Sequence, residues 1–349
     1  MANLRYCRGK NRLSRNKTAY FLSFISSQPG KNHVNHGSQL PLNTTFGRNF
    51  CSMDLQSIDT VAFISSEDFR KNYYEPMRPL IIKDLVKQWP AYSKWNWDYF
   101  KSIIGDVKVG VYNNIKSDAY TPVNTADGYM KFGEYIDMVR KGPAEWRIFL
   151  FNLFDHAPQI TKDFTWPEQY TKGFVKRYPM LFVGGQGSVT HMHFDIDLSH
   201  IFHTQFIGRK RVLLFPFEEQ HKLYRKPWEV LSLVNFHKYF DKDDNKLDLQ
   251  KYPAVKLARG YEVILEHGDT LFMPAGYWHH MEYIESGFAM SLRAIQSAIT
   301  GKLKGAWYLF GMRGIDTFMK KTAPEWWYNY KKEKTFSAAE KELEIGQSG

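Results

Sequence analysis

The chain has 349 residues, 43% apolar and 16% aromatic, enough to bury a substantial core and too apolar for a disordered chain. Residues 1–52 carry eight Lys or Arg and no Asp or Glu, leaving +3 of the formal +11 to the rest, which argues against a nucleic-acid surface outside that stretch. Both cysteines, Cys7 and Cys51, also lie there; the remainder can form no disulfide scaffold, thiolate zinc site or Cys nucleophile.

The leader, 1–52, is rich in Asn, Ser, Arg and Lys. It reads as a disordered tail, an organelle-targeting presequence, or sequence upstream of a start at Met53. A cytoplasmic protein is expected, with an organellar location as the alternative if the leader targets. From Met53 onward, Ser65-Ser66-Glu67-Asp68 reads as a helix cap with acids in the first turn, opening an element near Ser65–Tyr74. Pro79–Lys83 is a short buried strand, and Trp95–Phe100 leads into a helix ending near Gly105. Val107–Tyr112 alternates like a strand, Phe132–Arg140 has helical spacing, and Trp146–Leu153 is again a strand. Eight more strands follow at short intervals: Leu181–Val183, Ser188–Asp195, Ile201–Ile207, Arg211–Phe215, Glu262–Leu265, Thr270–Pro274, His280–Ile284 and Phe288–Arg293. Such density of short strands, divided by Gly, Pro and Asp, predicts a sandwich or barrel. Ala294–Met319 and Glu325–Leu343 carry helical spacing with many Lys and Trp. This helical tail either caps the barrel or forms a dimer interface. No apolar run approaches the ~18 residues of a membrane-spanning helix.

Six of the 12 histidines sit in two groups. The first is Thr190-His191-Met192-His193-Phe194-Asp195, with His200 and His203 close behind; the second is Trp278-His279-His280. Alternation on a strand puts His191, His193 and Asp195 on one face, so an imidazole and a carboxylate reach one metal ion together. The turn at Glu266–Asp269, the strand to Pro274 and the loop to Trp278 deliver a third ligand, His279. Two His and one carboxylate leave three coordination positions open, the arrangement expected of a non-haem iron(II) oxygenase. A lone H-x-D is a weak signal, since many strands carry both residues for ordinary hydrogen bonding. The downstream Gly-Asp turn, proline and Trp-His strengthen it by suggesting a double-stranded β-helix in the right order.

Gly187–Asp195, Gln205–Pro216 and Gly268-Asp269 through Trp278-His279-His280 resemble the JmjC, or cupin-like, oxygenases. The likeness extends to Arg78–Ile82 and Trp95–Phe100, and covers roughly residues 57–295. It is nearest to the small protein hydroxylases typified by the asparaginyl hydroxylase of hypoxia-inducible factor. The resemblance implies a mainly β, double-stranded β-helix (jelly-roll) core over 53–295, with N-terminal α/β elements and a helical extension over 296–349. It implies iron(II) on His193, Asp195 and His279, choosing His279 over His280 by register, with 2-oxoglutarate and O2 as co-substrates. Lys210 falls where the family pairs the distal carboxylate of 2-oxoglutarate, and Thr190 where a hydroxyl helps bind it. Alternation turns Lys210 inward and Arg209 and Arg211 outward; the bland alternative is a solvated charge in a basic turn. Phe149 stands in place of a co-substrate tyrosine and Arg293 in place of a late asparagine, and the connection after Asp195 is two residues longer. Arg293 then either adds a second cation for the co-substrate or touches the substrate. His203 is expected to line the pocket near the co-substrate, His191 to support the ligands, and His280 to be structural; a triad using His191 is the alternative.

The function expected is hydroxylation of a side chain of a protein or peptide. The alternatives are a metal-binding cupin acting as a sensor without turnover, a JmjC-type lysine demethylase, and a small-molecule hydroxylase. Demethylation ranks lower because no chromatin-reading zinc finger accompanies the motifs. Nucleic-acid binding is expected only through the basic leader.

Overall fold

The computed structural model describes residues 53–114, 125–236 and 249–348; the expectations for the leader lie outside the described residues. Along the chain run β1 (Asp54–Ser57), β2 (Thr60–Val61), α1 (Ser66–Phe69), β3 (Leu80–Ile82), α2 (Pro90–Lys94), α3 (Trp97–Ile104), β4 (Lys108–Val111), β5 (Gly128–Lys131), α4 (Phe132–Lys141), β6 (Arg147–Asn152) and α5 (Leu153–His156). Then come β7 (Met180–Gly184), β8 (Val189–His193), β9 (His200–Ile207), β10 (Lys210–Phe215), β11 (Arg259–Leu265), β12 (Thr270–Met273), β13 (Trp278–Tyr283) and β14 (Gly287–Ala294). The helices α6 (Ile299–Ala306), α7 (Arg313–Thr322) and α8 (Pro324–Ser348) follow, with a π-helical turn, Trp307–Met312, joining the first two. All eight strands expected between 181 and 293 are present, with ends shifted by no more than three residues. The caps act as expected: the Ser65 side chain accepts from the Asp68 amide and Asn96 from the Tyr99 amide, each satisfying a donor the helix itself leaves open.

Two sheets form the body. One has the order β1-β11-β10-β13-β8 and the other β2-β3-β12-β9-β14-β7-β6. From β8 to β14 the chain passes repeatedly between them, giving a mainly β jelly roll with N-terminal α/β elements and C-terminal helices.

Side-chain alternation divides the apolar residues into three layers. Phe202, Phe206, Phe272, Phe288, Met290 and Leu292 leave the outer face of the larger sheet and pack under α1, α3 and α4. Met192, Phe194, Leu213, Phe215 and Trp278 leave the outer face of the smaller sheet and meet Phe336 and Ala339 of α8. Ile81, Ile201, Val212, Leu214, Leu271, Met273 and Met281 fill the space between the sheets. That inner layer is where polar side chains are informative, because a buried polar group needs a reason to be there.

Candidate metal centre

Among the described residues, His193, Asp195 and His279 bring one ligand atom each to within 4.8 Å of one another. Strand pairing accounts for the two histidines: His279 of β13 lies directly opposite His193 of β8, and directly opposed residues share a face. Met281 is opposite Thr190, so a single residue, His280, stands against two, His191 and Met192. This β-bulge corrects the simple alternation expected from sequence. It sends Met192 into the outer layer and turns both Thr190 and His193 inward. β8 then ends at His193, so Asp195 is not a strand residue. It reaches back from a turn closed by the Leu198 amide on the Asp195 carbonyl at 3.0 Å. Between them Phe194 is fully buried, its ring 4.9 Å from Trp278 and 5.4 Å from Phe217, which anchors both neighbours.

The imidazoles are oriented from behind. His193 Nδ1 is 2.8 Å from the His191 carbonyl and His279 Nδ1 is 3.2 Å from the Tyr277 carbonyl. A carbonyl only accepts, so each Nδ1 carries the proton and each Nε2 keeps its lone pair for a metal. Burial, together with His279, pushes the His193 pKa down to about 3, and burial lowers that of His279; both rings are neutral at physiological pH. Burial alone would raise Asp195, but the Arg293 guanidinium beside it outweighs that and holds the carboxyl ionised. Ser199, Ile201, Met273 and Tyr277 surround a narrow pocket at Asp195 and His279.

Deeper in the barrel Lys210 opens β10 and is 1% exposed. Gly208 sets its position. With φ +71°, a Cβ there would fall 2.5 Å from the Ser286 carbonyl oxygen, so only glycine makes this tight approach from β9. The neighbours turn outward as expected, Arg209 to Glu285 and Arg211 to Glu262 and Glu282. The Lys210 ammonium donates to His203 Nε2 at 3.1 Å and sits 4.4 Å from the centre of the Tyr283 ring. His203 Nδ1 in turn meets the Ser291 hydroxyl at 2.7 Å. No carboxylate faces Lys210 among the described residues, and burial pushes its pKa down to about 7.

The remaining expected residues fall elsewhere. Arg293, expected among the co-substrate contacts, has its guanidinium committed to carboxylates: Nη2 donates to Asp195 Oδ1 at 2.9 Å and Nη1 to both oxygens of Asp197 at 3.1 Å. Two acids within reach of a largely buried cation explain the change. His191 Nε2 meets the Asn114 carbonyl at 2.9 Å and is not part of the cluster. His280 faces the outer layer, near Phe236. His200, unplaced by sequence, is buried beside Tyr74 and Phe272 and accepts from the Ala275 amide. Phe149 lies against Tyr112, ring centres 4.2 Å apart.

A family model for the cupin-like domain matches residues 66–329. The chain belongs to the cupin-like domain family. It is similar to "Lysine-specific demethylase 8" of Xenopus tropicalis, 25% identical over 232 residues, 65% of this chain and 50% of the relative. It is 27% identical over 239 residues to "Jumonji C domain-containing protein 5" of Drosophila melanogaster, 65% of this chain and 57% of the relative. With "Arginine-specific demethylase JMJ22" of Arabidopsis thaliana it shares 25% over 249 residues, 67% of this chain and 45% of the relative. The chain thus spans about half the length of these curated relatives.

Within this cupin-like domain, sequence reasoning missed Asp197, Ser291, Tyr283 and Asn114. Ser291 had a readable signal: it sits two residues before Arg293 on β14 and so shares its face. Asp197 had none, because its partner is 96 residues away.

Proposed function

We propose that this protein is an Fe(II)- and 2-oxoglutarate-dependent dioxygenase that hydroxylates a side chain of a protein or peptide. One observation carries the reading: a cluster of two neutral imidazoles and an ionised carboxylate at the barrel interior, with a buried cation that faces no carboxylate among the described residues. The donor set suits iron(II) with open positions. A buried ammonium facing no carboxylate suits the far end of a dicarboxylic co-substrate, whose own burial would otherwise be costly. Bound iron and 2-oxoglutarate supply oxidative decarboxylation to succinate and CO2, coupled to placing one oxygen atom of O2 into a C–H bond.

The protein's own part is binding and orientation. His193 and His279 offer Nε2 because backbone carbonyls hold their Nδ1 protons. Lys210 pairs with the co-substrate, and His203, braced by Ser291, aims it. Thr190, turned inward by the bulge, presents a hydroxyl on the face that carries His193. The apolar inner layer keeps water from the reacting groups.

The likeness of Gly187–Asp195 and Gln205–Pro216 to protein hydroxylases favours a peptide side chain. The demethylase names of two relatives favour a second reading, in which the C–H bond belongs to an N-methyl group. Hydroxylation there gives an N-hydroxymethyl group, which breaks down to the amine and formaldehyde. The protein should be incubated with iron(II), 2-oxoglutarate and candidate peptides, methylated and not, with His193→Ala as control. A +16 Da product with succinate and no formaldehyde supports hydroxylation. A loss of 14 Da with formaldehyde supports demethylation. No succinate from any mixture leaves a metal-binding module without turnover.

A further inference from the structure

We propose that Arg293 and Asp197 form a positioning pair that reserves one oxygen of Asp195 for the metal. The inference rests on the metal-centre reading above and concerns residues that do not themselves ligate. Arg293 Nη2 occupies Asp195 Oδ1 at 2.9 Å, while Oδ2 has no hydrogen-bond partner among the described residues. The guanidinium is planar and cannot turn away from Asp195 without also leaving Asp197, whose two oxygens hold Nη1 at 3.1 Å. Asp197 is fixed in its turn by the Ser199 hydroxyl at 2.9 Å and the Ser199 amide at 3.4 Å. Asp195 lies beyond the end of β8 and has no ladder to orient it, so the fork from β14 takes the place of strand geometry. A carboxylate with one oxygen engaged binds a metal through the other only. That keeps three coordination positions open, whereas two-oxygen binding would fill one of them.

Charge complicates the single substitution: removing Arg293 alone takes a cation from the site and leaves Asp197 unpaired, which attracts a metal even as orientation is lost. The double variant Arg293→Met/Asp197→Asn removes one charge of each sign. Its net charge equals that of the native site, and any change reports geometry.

The test is titration of the full chain with cobalt(II), following the visible bands of the bound ion and measuring affinity against a chelator, with thermal melting of the metal-free proteins alongside. The double variant is expected to bind about 10- to 100-fold more weakly and to show shifted cobalt bands. Arg293→Lys, which still reaches one carboxylate oxygen, should restore most of the affinity. Wild-type affinity and bands in the double variant would overturn the proposal, whatever happens to its melting temperature. If the double variant does not fold, the cobalt bands of Asp197→Asn decide, since they report coordination rather than charge: shifted bands support the pair and unchanged bands overturn it. Failure of the wild-type protein to bind cobalt, while equally folded, would overturn the metal reading itself, a result distinct from the others.

Discussion

Lys210 is the residue whose chemistry is most exposed to test. In the folded protein burial pushes its pKa down to about 7, against 10.5 for an ordinary lysine. The unfolded chain therefore holds the proton through the window from about 7 to 10.5 while the folded one does not. Stability of the unliganded protein should rise with pH across that window, by at most about 1.4 kcal/mol per unit, and Lys210→Met should flatten the rise. An anion bound beside the ammonium reverses the preference and draws a proton in. The other titratable groups facing it are His203 from β9 and Tyr283 from β13; burial lowers the first and raises the second, so neither changes charge near pH 7. Affinity for 2-oxoglutarate should then fall by up to about tenfold per pH unit above 7, measured by titration at pH 6.5 and 8.5. Affinity independent of pH would show that Lys210 does not meet the co-substrate.

At the scale of elements, the strands were legible because each is a short apolar run bounded by Gly, Pro or Asp, and their pairing follows from the jelly-roll order. The bulge in β8 was not legible. His191, Met192 and His193 give no local sign of which residue is extra, and only the register against β13 decides it. The same holds for the tie between α8 and the barrel. Lys331 of α8, 2% exposed at its side chain, pairs with Glu229 and with Asp316 of α7, while Lys226 and Lys320 add further contacts to Glu229. Val230 and Ser232, just beyond Glu229, hydrogen-bond with the backbone at Phe194 and Met192, so the helix braces the strand that carries His193. Burial would raise the Glu229 pKa, but the lysines outweigh it and bring it to about 2. Its folded value lies below the ordinary 4.5, so its contribution is complete above that pH and is lost as pH falls toward 2. Lys331→Met should cost about 3 kcal/mol in denaturant unfolding, toward the low end for a broken buried pair because Lys226 and Lys320 remain. A cost within error of zero would show that those two suffice.

For the described body as a whole, composition and motif order pointed to the barrel and to the three clustered residues, because metal ligands must be chemically specific and the two histidine groups stand at strands bounded by readable turns. What surrounds them was hidden, since partners such as Arg293 and Asp197 meet only through the closed barrel. The C-terminal helices carry one more consequence. Along α6, the π-helical turn and α7 the outward residues Ile299, Leu303, Phe310 and Phe318 are 63 to 73% exposed, while Asp316 is buried. Gly314 leaves open space beside Phe310 and Phe318, so one patch supplies both projections and a recess, as a two-fold contact between identical chains requires. We propose a homodimer through this face. Sedimentation should give a dimer that Phe310→Glu/Phe318→Glu converts to monomer; a monomeric wild-type protein would refute it. The proposed iron site has its own spectroscopic signature, read by anaerobic absorption. With iron(II) and 2-oxoglutarate the wild-type protein should show a weak visible charge-transfer band. The band should be absent from His193→Ala, Asp195→Ala and His279→Ala at the same concentrations. A band of full strength in any of these variants, or none in the wild type, would rule out iron held by these three residues.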